Sequence, residues 1–302
     1  MVLTPRPDRQ VNQITCSVIR EVKNAATGLG LDIFLVGATA RIILLENVFG
    51  LHTGRATHDI DFAFAVENWD QFQAIKDRLT STSGFEEVRG EAQRLTCKPA
   101  NVEHRFVVDL IPFGGLESSK NTIAWPPDMS IMMNVAGYRD AHASAVQVEI
   151  EPGIVIPIAS IPGIAILKLF AWVDRGQEDP KDAIDLVTLL RQYNAAGNQE
   201  RVYEDAIAAL EAVEYDIELA GAWLLGSDAF AMSSPETREQ LNVLFAEPPI
   251  RGRLVADMSR ALRGRDDAQD YSRALLEQFI KGFSDLTTTT KQHEPRTAAG
   301  NA

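Results

Sequence analysis

Two hydrophobic rhythms run along this chain, and one gives way to the other near residue 160. Ile33-Phe34-Leu35-Val36 is a short continuous apolar run closed by Gly37, the pattern of a buried strand. Ile60, Phe62 and Phe64 alternate with Asp59, Asp61, Ala63 and Ala65, a period of two that predicts a second strand. Further strands are predicted near 94–98 and 105–111, the latter ending at Pro112 and the Gly114-Gly115 turn. Residues 146–158 read as a hairpin turning at Pro152-Gly153. Between them, helices are predicted over 11–27, closed by Gly28 and Gly30, and over 38–49, stopped near Gly50. A third starts at Asn68 as N-cap and runs to about residue 79. Residues 117–133, with Trp125-Pro126-Pro127, read as irregular.

Beyond residue 160 the period becomes helical. Segments 164–173, 181–193, 202–213, 235–245 and 267–283 are predicted helices, with no strand pattern between them. The final polar residues read as a disordered tail. The predicted class is α/β of the α+β kind: a mixed-sheet domain over 1–158, a helical domain over 159–285, and a tail over 286–302.

Charge narrows the partners. The 302 residues carry a net charge of −13, with −4 in residues 1–150 and −9 in the remainder. Proteins that bind nucleic acid through many phosphates are usually basic, so an RNA acceptor would need a local basic patch on a surface that otherwise repels it. No apolar run reaches the roughly 18 residues of a membrane span. No secretory leader pattern is present, so a cytoplasmic location and no membrane partner are expected. Cys16 and Cys97 belong to no ligand-spaced cluster and read as buried reduced thiols.

The chemistry concentrates in acids on strands. Asp59 and Asp61, two apart on a strand, face the same side and can converge on one cation, while Ile60 points into the core. Asp109 sits within Phe106-Val107-Val108-Asp109-Leu110, where an acid is costly to bury unless paired or metal-bound. Three carboxylates from two strands suit Mg²⁺ (or Mn²⁺), which prefers carboxylate and phosphate oxygens. Val36-Gly37-Ala38-Thr39 links a buried strand to a helix, where backbone N–H groups can receive a phosphate or simply make a tight turn. Lys168 and Arg175 share a helix face, on a helix that is otherwise mainly packing. Lys181 could pair with Asp185 at i, i+4 as an ordinary surface bridge. His52, His58 and His104 are not read as ligands. Trp125 could stack a base or pack at the domain junction.

G-x-T after a strand, then T-x-D-I-D-F, then V-D-L on a later strand resembles the layout of polymerase-β-type nucleotidyltransferases. The resemblance is closest to the AbiEii-type nucleotidyltransferase toxins of bacterial toxin–antitoxin and phage-defence systems. It rests on Gly37-Ala38-Thr39-Ala40-Arg41, on 55–62 with Thr57 and Asp59-Ile60-Asp61-Phe62, on Lys168-Leu169-Phe170-Ala171-Trp172 with Asp174-Arg175, and on Lys181-Asp182-Ala183-Ile184-Asp185-Leu186. It implies a polymerase-β-type core with a mixed sheet. By it, Gly37, Ala38, Thr39, Arg41, Thr57, Lys168, Arg175 and Asp182 would serve nucleotide binding. Asp59, Asp61 and Asp109 would hold metal, and Asp109 would help activate the incoming hydroxyl. Asp182 or Asp185 would orient Lys168 or the acceptor, with Asp185 preferred. Ala38 departs from the usual Gly or Ser and removes one possible phosphate contact.

The implied activity transfers a nucleoside monophosphate from a nucleoside triphosphate to an acceptor, the tRNA 3′ end by resemblance, with a cognate antitoxin protein as partner. A small hydroxyl acceptor, as for antibiotic-modifying enzymes, suits an acidic protein. A non-catalytic nucleotide-binding module is the alternative from another class, and the presence of all three carboxylates argues against it. No H-R-D or D-F-G pattern supports kinase chemistry, and no His/Cys cluster supports zinc.

Overall fold

The computed structural model describes residues 1–54, 57, 59–81, 84–98, 105–118 and 121–284. Its first half is built from β1 (Val2–Leu3), α1 (Gln13–Leu29), β2 (Asp32–Val36), α2 (Gly37–Ile42), β3 (Asp59–Val66) and α3 (Trp69–Thr80). There follow β4 (Phe85–Glu87), β5 (Arg94–Cys97), β6 (Phe106–Gly114), β7 (Thr122–Trp125), β8 (Ile131–Asn134), α4 (Tyr138–Ala143), β9 (Val146–Glu151) and β10 (Ile154–Ile158). Among the described residues the main sheet has eight strands in the order β1-β9-β10-β2-β3-β6-β5-β4, and β7 and β8 pair separately. β3 runs antiparallel to β2 and parallel to β6, so the sheet is mixed as expected.

Local chemistry sets the ends. Asn12 caps α1 by accepting from the Ile14 N–H at 2.8 Å, and Asn68 caps α3 through the Gln71 N–H at 3.0 Å. The predicted 38–49 helix is α-helical only to Ile42; Ile43–Val48 is π-helical, with the Phe49 N–H reaching back five residues to Leu44 O at 3.0 Å. β6 does not stop at Pro112. The Leu110 N–H points outward to Gln93 O at 2.8 Å, so the N–H that Pro112 lacks would face the same edge, past the end of β5. Residues 117–133, expected to be irregular, contain β7 and enter β8; the outward-facing half of this hairpin carries Ile131 and Met132.

After β10 come α5 (Ile161–Arg175), α6 (Lys181–Gln192), α7 (Gln199–Glu204), α8 (Ile207–Ala212), α9 (Ile217–Met232), α10 (Pro235–Ala246), α11 (Pro248–Ser259) and α12 (Ala268–Ser284). The single helix predicted over 202–213 is two, because Ala206 leaves helical geometry at φ −116°, ψ 22°. α9 shows no amphipathic period because it is buried against α5, α6 and α12. Its crossing with α12 brings backbones into contact: a Cβ on Gly226 would lie 2.0 Å from Phe279 O, and one on Gly282 1.9 Å from Trp223 O. No helix among the described residues is long and apolar enough to cross a membrane. The expected tail, 286–302, lies outside the described residues.

Candidate active site

The alternation of β3 buries Ile60, Phe62 and Phe64 and projects Asp59 and Asp61 together from the other face. Val36 lies opposite Asp61 in the β2–β3 register, and Gly37 follows at φ +70°. A Cβ on Gly37 would stand 1.9 Å from Asp61 Oδ2. Glycine is therefore needed both for its left-handed backbone and for the carboxylate lying against it. Thr39, expected at the phosphates, instead donates its hydroxyl to Asp59 O at 2.7 Å, and so ties the turn to the start of β3. Thr57 accepts from the Asp59 N–H at 3.2 Å.

The parallel β3–β6 pairing sets Asp61 opposite Asp109. Asp109 is engaged from its other side. Arg94 of β5, the register partner of Asp109 on its other side, donates to both Asp109 oxygens at 2.8 and 2.9 Å and pairs with Glu91 at 2.5 Å. A guanidinium fork matched to both oxygens satisfies Asp109. Consequently, among the described residues no three acidic, histidine or cysteine side chains converge closely enough to hold a metal ion as they stand. The predicted trio becomes a pair with a tethered neighbour. Among the described residues, neither the Asp59 nor the Asp61 carboxylate has a hydrogen-bond or ion-pair partner. Burial, and next the charge of Asp109, pushes the Asp61 carboxyl up to about 6; Lys168 opposes the rise and Asp59 adds to it.

α5 and α6 supply the opposite wall. Ser160 caps α5 by accepting from the Gly163 N–H at 3.2 Å, with Pro162 in the first turn. Lys168 and Arg175, seven apart on α5, both reach Asp182 of α6, at 2.8 and 2.7 Å. Lys168 also lies 2.8 Å from Asp185. Burial disfavours the Lys168 charge, but Asp185 and Asp182 outweigh it and hold its pKa above the ordinary value. Burial likewise raises Asp182, and Lys168 and Arg175 outweigh that and hold it below the carboxylate range.

Gly37, Ala38, Thr57, Asp59, Asp61 and Asp109 line the sheet side of one cleft of about 400 Å³. Lys168, Arg175 and Asp182 line its helical side. Arg41 and Asp185 stand behind it. Arg41, expected at the nucleotide, is fully buried, 3.3 Å from Asp185 and 3.4 Å from Thr53 O, so it cannot reach the cleft. The predicted Lys181–Asp185 surface bridge does not form: Lys181 pairs with Asp179 at 3.2 Å, while Asp185 is drawn inward by Lys168 and Arg41. Trp125 is buried rather than exposed: it borders the cleft, and its ring packs on Trp69 and Phe72 of α3 at 5.3 and 5.5 Å. Cys16 and Cys97 are free and buried. His52 is exposed, and His58 and His104 lie outside the described residues. Sequence reasoning missed Arg94, Tyr138, Ile131 and Met132, all of which line the cleft. Arg94 could have been found only from the β5–β6 register.

The mixed sheet, the helical half and an acid pair facing buried cations define a nucleotidyltransferase. The chain belongs to the AbiEii nucleotidyl transferase toxin family of type IV toxin–antitoxin systems, whose model matches residues 23–289. Similar solved structures include the antibiotic-resistance factor ANT(2'')-Ia, at 16% identity and TM-score 0.34, covering 68% of this chain and 99% of that one. Another is an antigenic nucleotidyltransferase-like protein from Paracoccidioides brasiliensis, at 14% identity and TM-score 0.40, covering 65% and 89%. A third is the Thermotoga maritima CCA-adding enzyme complexed with tRNA, at 12% identity and TM-score 0.28, covering 90% and 70%. No curated protein matches the sequence.

Proposed function

We propose that this nucleotidyltransferase moves a nucleoside monophosphate from a nucleoside triphosphate onto the 3′-terminal hydroxyl of tRNA, as the toxin of a pair restrained by a cognate antitoxin. The observation that carries the reading is the Asp59–Asp61 pair: two cleft-facing carboxylates on one strand face, without a partner among the described residues. Hard oxygen donors of this kind fit Mg²⁺ or Mn²⁺. Asp109 fits as a third donor once Arg94 lets go of it. A divalent cation held there would neutralise triphosphate charge and polarise the reacting phosphoryl group.

The chain's own residues do the rest. Lys168 presents a fixed positive charge to the phosphates from the wall facing the acid pair, oriented by Asp182 and Asp185. Arg175, half exposed, adds a second donor set at the rim. Thr39 and Gly37 act on Asp59 and Asp61, by fixing the strand and by leaving room for the carboxylate. In the transfer, the acceptor oxygen bonds to the α-phosphorus, the bond to the bridging oxygen breaks, and pyrophosphate leaves. Asp109, beside Asp61, is the group placed to help activate the acceptor hydroxyl after release from Arg94.

The net charge of −13 favours a second reading with a small hydroxyl acceptor. One experiment separates them: the purified protein is incubated with Mg²⁺, each labelled ribonucleoside triphosphate in turn, and either total tRNA or small hydroxyl compounds. Label on tRNA, absent when the tRNA terminus is first oxidised with periodate, supports the toxin reading. Label confined to small acceptors overturns it.

A further inference from the structure

The cleft has two chemically different halves. The acid pair and Lys168 and Arg175 make one; the other is apolar and exposed. Ile131 and Met132 are 61% and 56% exposed, and unlike Val243 or Tyr215, which are as exposed, both line the cleft. They belong to β8, whose pairing with β7 sets Trp125 opposite Ile131 and Ala124 opposite Met132. The hairpin is anchored rather than loose. Trp125 is buried on Trp69 and Phe72, β8 lies against α5, and a Cβ on Gly137 just beyond it would come within 2.8 Å of Ile166. Met132 and Asn134, two apart on β8, share a face. Asn134 and Asp174 of α5 both line the cleft, so a polar edge borders the apolar seat.

We infer that this hairpin seats the nucleobase of the donor triphosphate, with Met132 as its platform and Ile131, on the other face of the strand, at its rim. The inference rests on the proposed reading of the cleft as a triphosphate site. With the phosphates held at the charged half, the base must lie elsewhere in the same cleft, and the exposed thioether of Met132 offers it a face. Thioether–aromatic contact is favourable and indifferent to which base is present. The platform therefore contributes affinity for the nucleoside part of all four triphosphates, and none for the phosphates themselves.

The test is calorimetric titration of the full chain, in Mg²⁺, with each nucleoside triphosphate and with inorganic tripolyphosphate. Met132→Ala is expected to weaken every nucleoside triphosphate by about tenfold while leaving tripolyphosphate unchanged. Met132→Leu should restore most of the loss, and the thermal midpoint should not move, because the side chain is exposed. Tripolyphosphate weakened in parallel, or nucleotide affinity unchanged while tRNA binding falls, overturns the inference and leaves the triphosphate site standing. Failure of tripolyphosphate to bind wild type, with nucleotide binding indifferent to Asp61→Asn, overturns both.

Discussion

Two ionic clusters lie on either side of one cleft, and they are built on opposite terms. At and behind the helical wall, Arg41, Lys168 and Arg175 meet Asp182 and Asp185 in four ion pairs of 2.7 to 3.3 Å, with both acids and Arg41 almost wholly out of solvent. On the sheet side, among the described residues, Asp59, Asp61 and Asp109 meet a single guanidinium, which takes Asp109 alone. The first cluster is compensated and slightly cationic; the second is left anionic. Compensation lets the first cluster hold Lys168 and Arg175 in place at the cleft, because removing one partner of a buried charge pair costs far more than keeping the pair. Uncompensated charge at a cleft is what the proposed metal-binding role of the acid pair requires, and the fold gains nothing from it.

The largest contrast comes from removing each cluster's acids or bases in turn. Asp59→Ala with Asp61→Ala is expected to lower nucleotidyl transfer by about a thousandfold or more without lowering the thermal midpoint. Labelled-triphosphate turnover and calorimetry read the two quantities. Arg41→Ala should do the reverse, costing about 3–5 kcal/mol in urea unfolding by leaving Asp185 facing Lys168 alone. Lys168→Ala should lose both activity and stability, because it strands two buried carboxylates.

A smaller effect carries a sign that only one cluster can give. Asp61 titrates near 6 in the fold against an ordinary 3.8, so between those values the native state holds more protons than the unfolded chain. Native stability therefore falls as pH rises from about 4 to about 6 and stays reduced above. Asp61→Asn should gain about 2 kcal/mol over wild type in metal-free urea unfolding at pH 8, and nothing at pH 4. A variant less stable at pH 8 would show that the carboxylate is held, not strained. Smallest of all, Lys181→Ala should change stability by under about 1 kcal/mol, because its pair with Asp179 is exposed.

What could be read in the sequence was what periodicity carries. The alternation around Asp59-Ile60-Asp61 located β3 and the shared face of its acids, and the apolar run before Gly37 located β2. What could not be read depends on contacts between distant segments. Nothing near Arg94 shows that register will set it against Asp109, or that it will hold that carboxylate apart from its neighbours. Arg41 sits in a nucleotidyltransferase-like motif, yet its partner, Asp185, is met only when α2, α5 and α6 assemble. α9 was invisible because a helix buried on all sides has no polar face to mark its period. The β7–β8 hairpin was hidden by Pro126-Pro127, which read as a break and lies in the turn between the two strands.

The most direct measurement is electron paramagnetic resonance of Mn²⁺ titrated into wild type and into the Asp59→Asn, Asp61→Asn double variant, with and without a nucleoside triphosphate. Bound Mn²⁺ in wild type, displaced by Mg²⁺ and lost in the variant, is the result required of a metal-binding acid pair. Equal binding by both proteins would contradict it.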